Sequence, residues 1–115
     1  MEEQRKARRA PFSGRIEQLV RHGSDYPRMA RDDEYFEAQA INISRRGLAC
    51  SCAASIEPLS HVFVAFTLDE GRTIKADCYV AHANAEGGKY VLGLSFEGLS
   101  PEDDEAIEAY VASRA

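Results

Sequence analysis

The sequence contains no long apolar run, no even set of cysteines and no familiar catalytic motif. None of its hydrophobic stretches approaches the roughly 20 residues of a membrane-spanning helix, so we expect no membrane insertion. Its first residues are charged and include no apolar segment typical of secretory signals, which predicts a cytoplasmic protein. No nucleophile–base pair, phosphate-binding loop or metal triad stands at a recognisable spacing. We therefore predict that the protein is not an enzyme and needs no cofactor.

The chain has only three cysteines, Cys50, Cys52 and Cys78. An odd number argues against a disulfide framework. Cys50 and Cys52 would share one face of a strand with Leu48, which predicts that they are small, buried apolar side chains. A metal site that also uses Cys78 and His82 is the alternative, although its spacing fits no common zinc pattern.

Charge is distributed unevenly along the 115 residues, which are enough for one domain, predicted to span 1–115. The net charge is −5, yet residues 1–31 hold eight of the 14 Lys and Arg residues and only four of the 19 acids. An acidic protein with one basic end suits a local anionic ligand. A nucleic-acid polymer is the alternative, but no aromatic platform accompanies the basic residues, so we expect no such partner.

Alternating apolar residues predict a mainly β fold over residues 12–97. The pattern favours six strands, at 12–22, 35–44, 48–52, 62–68, 74–80 and 90–96. Turns are predicted at 45–47, 69–71 and 84–88. Strands so closely spaced would close into a small antiparallel barrel, because closure removes exposed edges.

The two ends of the chain differ from this pattern. Residues 1–11 are polar and basic and predict a flexible tail. Residues 100–114 predict a C-terminal helix, with Ser100 as its N-cap and Pro101 at its first position. Acidic residues fill the first turn, and apolar residues then recur at helical spacing.

Two polar motifs carry the functional hypothesis. The tail reads R-x-x-x-R from Arg5 to Arg9, and the second predicted strand ends in N-x-S-x-x-G from Asn42 to Gly47. In this order, and followed by an apolar strand, the two motifs resemble the signature of PilZ domains. The segment 90–96 and the acidic helix start after it are also similar to that family, so the resemblance covers nearly the whole chain. It implies a receptor for the bacterial second messenger cyclic di-GMP.

The resemblance implies a ligand site with six residues: Arg5, Arg8, Arg9, Asn42, Ser44 and Gly47. The arginines would bind guanine N7 and O6, stack on a purine, or bind a phosphate. The strand motif would supply side-chain oxygens that accept hydrogen bonds from the other edge of guanine. Its glycine would close the turn through a positive φ or a close backbone approach to the ligand.

On the strand, Asn42 and Ser44 are expected to face away from Ile41 and Ile43. His82 could add a ligand contact from a neighbouring strand, although such a histidine is more often a satisfied surface or rim residue. Gln4 stands where some members of the family have another arginine that holds a stacked ligand pair. One or two ligands per chain therefore both remain open.

The separation of the two motifs predicts a mechanism. The tail would order over the barrel when the ligand binds, and the new surface would be recognised by an unidentified downstream protein. The alternative is a PilZ-like interaction module that does not bind the nucleotide.

Overall fold

The computed structural model describes residues 8–21, 33–68 and 71–114, and Arg5 and Gln4 lie outside these ranges. Within them the chain forms eight strands and one helix. In chain order these are β1 Ala10–Pro11, β2 Ile16–Arg21, β3 Glu34–Tyr35, β4 Ala38–Ser44, β5 Gly47–Cys52, β6 His61–Thr67, β7 Thr73–Glu86, β8 Lys89–Gly98 and α1 Pro101–Arg114.

All eight strands belong to one antiparallel sheet with the order β1-β4-β5-β8-β7-β6-β2-β3. The predictions of a mainly β fold, antiparallel pairing and a C-terminal helix are confirmed. The predictions of six strands and of a closed barrel are wrong. The predicted first strand, 12–22, lacks continuous pairing and contributes only β2, while β1 and β3 are short strands at the two ends of the sheet.

The sheet curls so far that its two ends nearly meet. Arg15, just before β2, forms an isolated bridge with Gln39 of β4, and the Ala40 N–H donates to the Gly14 carbonyl at 3.1 Å. A single bridge does not make a hydrogen-bonded ladder, so the sheet is left open along this seam. The last two residues of the predicted tail, Ala10 and Pro11, pair with β4, and Ala10 is buried.

The inner face of the sheet forms one apolar core, closed by α1. Leu48, Cys50 and Cys52 alternate into this core and Cys78 joins them, which confirms that the cysteines are buried apolar side chains. Burial raises the pKa of Cys50 and of Cys78 to about 12. Among residues 8–21, 33–68 and 71–114, no cluster of His, Cys, Asp or Glu is arranged to hold a metal ion.

Bulges account for two departures from simple alternation. The register shifts in β4 between Ala40 and Asn42, so Ala40 and Ile43 are buried while Ile41 is 40% exposed. The prediction that Ile41 and Ile43 share a face is therefore wrong. A similar shift after Ile16 in β2 coincides with the polar Gln18 that interrupted its alternating pattern.

Strand β7 is longer than its apolar pattern indicated. It continues beyond the core to Glu86 and returns through Gly87 and Gly88, whose φ values are 58° and 86°. The predicted start of the turn at Asn84 is wrong. Alanines alternate with polar residues along the extra length, so the large apolar residues that mark a strand packed on a core are missing there.

Helix α1 begins as predicted. The Ser100 hydroxyl oxygen accepts the Asp103 N–H at 3.1 Å, which is the N-cap contact. Ile107 and Val111 are buried against the sheet. The Tyr110 hydroxyl donates to the Pro11 carbonyl at 3.1 Å, so α1 also holds the end of β1. No helix in the described ranges is long and apolar enough to cross a membrane.

Candidate functional site

The pairing of β1 with β4 brings the two predicted motifs together. Pro11 lies opposite Asn42, and Arg9 comes two residues before Pro11 on the same segment. The Arg9 Nη1 group donates to the Asn42 Oδ1 atom at 2.6 Å. Arg8 is exposed next to this contact, while Arg5 lies outside the described residues. Two motifs 33 residues apart along the chain thus share one hydrogen bond.

Ser44 of the strand motif is buried, with 1% of its surface exposed. Its hydroxyl oxygen accepts the N–H groups of Arg46 at 3.0 Å and of Gly47 at 3.3 Å. The β4–β5 turn has no residue with positive φ, and a serine at its first position supplies the hydrogen bonds that hold such a turn. Ser44 therefore fixes the turn from inside.

Gly47 is required by the neighbouring strand. A Cβ atom added there would lie 2.2 Å from the carbonyl oxygen of Leu94 in β8. Gly47 is the first residue of β5, and its φ is not positive, so the expected left-handed turn glycine is a wrong prediction. The absence of a side chain instead lets β5 and β8 approach closely next to the motif.

The two arginines of the turn differ in their surroundings. Arg45 binds Asp104 of α1 at 3.1 Å and Glu108 at 3.2 Å. The hydrogen bond to Asp104 and the charges of both carboxylates raise the pKa of Arg45, which keeps it fully charged. Arg46 is exposed, and its side chain forms no ion pair with any of the described residues.

A groove of about 620 Å³ lies between this turn and the start of α1. Arg45, Arg46, Ser95 and Asp104 are among its lining residues, whereas Arg9 and Asn42 are not. A larger groove of about 770 Å³ follows the open seam between β2 and β4 and contains none of the predicted ligand residues. The Arg9–Asn42 contact therefore lies outside both grooves, on the outer surface next to the turn.

The register extends this surface across the sheet. Asn42 lies opposite Ala49, Ala49 opposite Gly93, and Gly93 opposite His82. The next row, which includes Ile43, is buried, so the row of Asn42 faces outward. We call these four residues the outer shelf. Its two central positions, Ala49 and Gly93, carry only small residues.

Sequence reasoning named Asn42 and His82 but missed Ala49 and Gly93, which lie between them on the shelf. The His82 ring rests on Gly93, because a Cβ at Gly93 would lie 2.3 Å from the His82 Nε2 atom. A glycine inside an apolar strand is a known signal of close approach by another group. That signal was present in Leu92-Gly93-Leu94.

The fold is that of a small, mainly β module closed by one helix, and the row from Asn42 to His82 lies on the outer face of its sheet. The chain belongs to the PilZ domain family, whose family model matches residues 3–113. The family resemblance inferred from the two motifs is thereby confirmed. No curated protein gives a significant match.

Solved structures show the same fold. The Bacillus subtilis inhibitor of motility, MotI/DgrA, is 16% identical with a TM-score of 0.78, over 97% of this chain and 51% of that one. The PilZ domain of Escherichia coli YcgR with c-di-GMP is 10% identical with a TM-score of 0.69, over 97% and 92%. The K. pneumonia MrkH–c-di-GMP complex is 14% identical with a TM-score of 0.64, over 98% and 53%. The chain thus spans about half the length of MotI/DgrA and of MrkH.

Proposed function

We propose that this PilZ protein is a receptor for cyclic di-GMP and has no enzymatic activity. The proposed site contains Arg5, Arg8, Arg9, Asn42, Ser44 and Gly47. The observation that carries the proposal is the hydrogen bond from Arg9 to Asn42, which joins the two motifs at one point of the surface. The complexes of YcgR and MrkH with c-di-GMP, two proteins of the same fold, support this choice of ligand.

Guanine can replace the Arg9–Asn42 hydrogen bond without loss to either side chain. Its N7 and O6 atoms accept from a guanidinium in bidentate geometry. Its N1–H and N2–H₂ groups donate to a side-chain oxygen such as Asn42 Oδ1. Both groups therefore exchange one partner for another, and neither is left unsatisfied.

The other motif residues have supporting roles in the proposed site. Ser44 and Gly47 hold the turn and the close approach of β5 to β8, which fix the position of Asn42. Arg8, like the exposed Arg46 of the turn, can bind a phosphate oxygen. On the outer shelf, the small Ala49 leaves room beside Asn42 for a purine, and the His82 ring, which covers Gly93, bounds that space.

The signalling step rests on the tail. We propose that ligand binding orders the segment that carries Arg5 and Arg8 over the sheet, and that a downstream protein recognises the resulting surface. Ordering each residue costs about 1–2 kcal/mol of backbone entropy, so only a ligand that binds tail and sheet together can offset it. The alternative, an interaction module without ligand, predicts that nucleotide never changes this surface.

Calorimetric titration with cyclic di-GMP tests the proposal, with GTP and cyclic di-AMP as controls. Saturable binding to cyclic di-GMP alone is expected, and it should be strongly weakened in Arg9→Ala and Asn42→Ala. Lys75→Ala is the matched control, because Lys75 is an exposed cation remote from the motif and should bind as the parent does. Absence of binding in a folded parent protein would establish the module that does not bind the nucleotide.

A further inference from the structure

One side of β7 is left without a partner strand. β6 covers β7 from Thr73 as far as Tyr79, and Val80 is held by the Leu59 N–H at 2.7 Å and the Ser60 carbonyl at 3.0 Å. Beyond Val80, β7 continues to Glu86 and pairs with β8 on its other side. Within the part of the chain that the structure describes, no strand covers the free side of this extension.

The register identifies which backbone groups are exposed on that side. Glu86 and Lys89 flank a two-residue turn, so they form a hydrogen-bonded pair. Bonded and non-bonded pairs alternate in an antiparallel ladder, and Asn84 is therefore also bonded to β8. Ala83 and Ala85 fall at the alternate positions, so their N–H and carbonyl groups point to the free side.

This edge has few of the features that protect natural edge strands. From Ala81 to Ala85 this edge contains no proline, lysine, arginine or acidic residue, and His82 is its one titratable side chain. The bulge in β7 lies between Val80 and His82, before the row of exposed groups begins. Leu59, at the start of the row, is 75% exposed and has a φ of 74°, which is uncommon for a residue other than glycine.

We infer that this edge pairs with the same edge of a second copy of the chain. A two-fold axis beside Asn84 places Ala83 opposite Ala85 of the second copy, and each such pair exchanges two backbone hydrogen bonds. All the exposed groups of both alanines are then satisfied. A strand is the only partner that offers a matching row of donors and acceptors.

The side chains support this register through charge and size. Glu86 falls opposite His82 of the second copy, so an acid meets a base on each side of the axis. At the centre, Asn84 lies opposite Asn84 of the second copy, and the two carboxamides can hydrogen-bond to each other. Ala81 comes opposite Gly87 of the second copy, so the exposed Leu59 meets a turn without side chains.

The interface is short and the dimer is weak, with a dissociation constant in the micromolar to millimolar range. Sedimentation of the full chain without nucleotide, from about 1 μM to about 1 mM, should show a reversible monomer–dimer equilibrium. Ala85→Pro removes only an outward N–H and is compatible with a strand edge. It should raise the dissociation constant about tenfold or more, because hydrogen bonds related by the axis are lost together.

Cysteine cross-linking tests the register itself. Asn84→Cys places two thiols across the axis at the distance of a directly opposed pair, and mild oxidation should give a covalent dimer. Glu86→Cys is the matched control. Its cysteine faces His82 of the second copy, so this variant should form no covalent dimer under the same conditions. The native cysteines are buried and do not interfere.

A chain that stays monomeric over the whole concentration range overturns the proposal. Equal cross-linking of both cysteine variants also overturns it, since it indicates random collision. A dimer that persists unchanged in folded Ala85→Pro assigns the interface to another surface. Circular dichroism and the thermal transition show whether each variant is folded.

Discussion

The two sides of the β4–β5 turn hold their arginines in different ways. On the tail side, Arg9 donates to the neutral amide oxygen of Asn42 at 2.6 Å. On the helix side, Arg45 binds the carboxylates of Asp104 and Glu108. A ligand can take the place of a neutral amide without leaving a charge behind, whereas displacing Arg45 leaves two acids without their cation. We therefore expect ligand exchange on the tail side, whereas Arg45 attaches α1 on the helix side.

The most damaging change affects the turn that both sides share. Gly47→Ala should lower the free energy of unfolding by about 3 kcal/mol, because its Cβ would collide with the Leu94 carbonyl oxygen and the two strands must separate. Urea denaturation measures this loss. Gly98→Ala is the control, since nothing lies within 4 Å of a Cβ added there, and it should change stability by less than about 0.5 kcal/mol. Equal losses in the two variants would contradict the close approach at Gly47.

Replacing Arg9 and replacing Arg45 should have clearly different effects on the affinity for cyclic di-GMP. Arg9→Ala should weaken cyclic di-GMP binding about 30-fold, equivalent to about 2 kcal/mol, since charge-assisted hydrogen bonds to guanine are lost. Arg45→Ala should weaken it by less than about threefold, because Arg45 is occupied by α1. Calorimetry on both variants gives the ratio. A larger effect for Arg45 would reverse the assignment of the two sides.

Ser44 contributes through the backbone. Ser44→Ala should cost about 1–2 kcal/mol of stability, because the N–H groups of Arg46 and Gly47 lose their buried acceptor. The thermal midpoint measures the loss. Ser44→Thr retains the hydroxyl and should recover most of it, and a failure of threonine to recover stability would point to packing in place of the hydrogen bonds.

The smallest expected effect is on the helix side. Arg45 and its two acids are partly exposed, so Asp104→Asn should destabilise the fold by about 0.5 kcal/mol at low salt. The effect should shrink as salt screens the charges. Thermal melts at low and high ionic strength test this. A loss that is independent of salt would show that Asp104 acts through its helix position.

Local patterns predicted the parts of the fold that depend on neighbouring residues. The stripe of Leu48, Cys50 and Cys52 and the Ser100 N-cap follow from periodicity and capping within a few residues. Bulges do not follow from such patterns, because one inserted residue changes the face of every residue after it. The exposure of Ile41 and the split of the 12–22 segment were missed for this reason.

The site depended on contacts between distant residues. The resemblance of two motifs to a family predicted that Arg9 and Asn42 belong together, although 33 residues separate them. Nothing in the sequence linked Arg45 to Asp104, 59 residues away, or assembled the outer shelf from four strands. Such contacts depend on strand order, which periodicity alone does not specify.

The short strand β1 has a consequence for the arginine that precedes it. Ala10 is buried and paired with Ile43, so it anchors the tail beside the motif. Five residues of chain extend at most about 17 Å, and Arg5 can therefore never lie farther than that from the anchor. Tethering of this kind holds a group at an effective concentration in the millimolar range. If the proposed site is correct, a ligand bound to Arg9 and Asn42 would meet Arg5 as a neighbour on the same tether, and capturing it would require only the closure of a short loop.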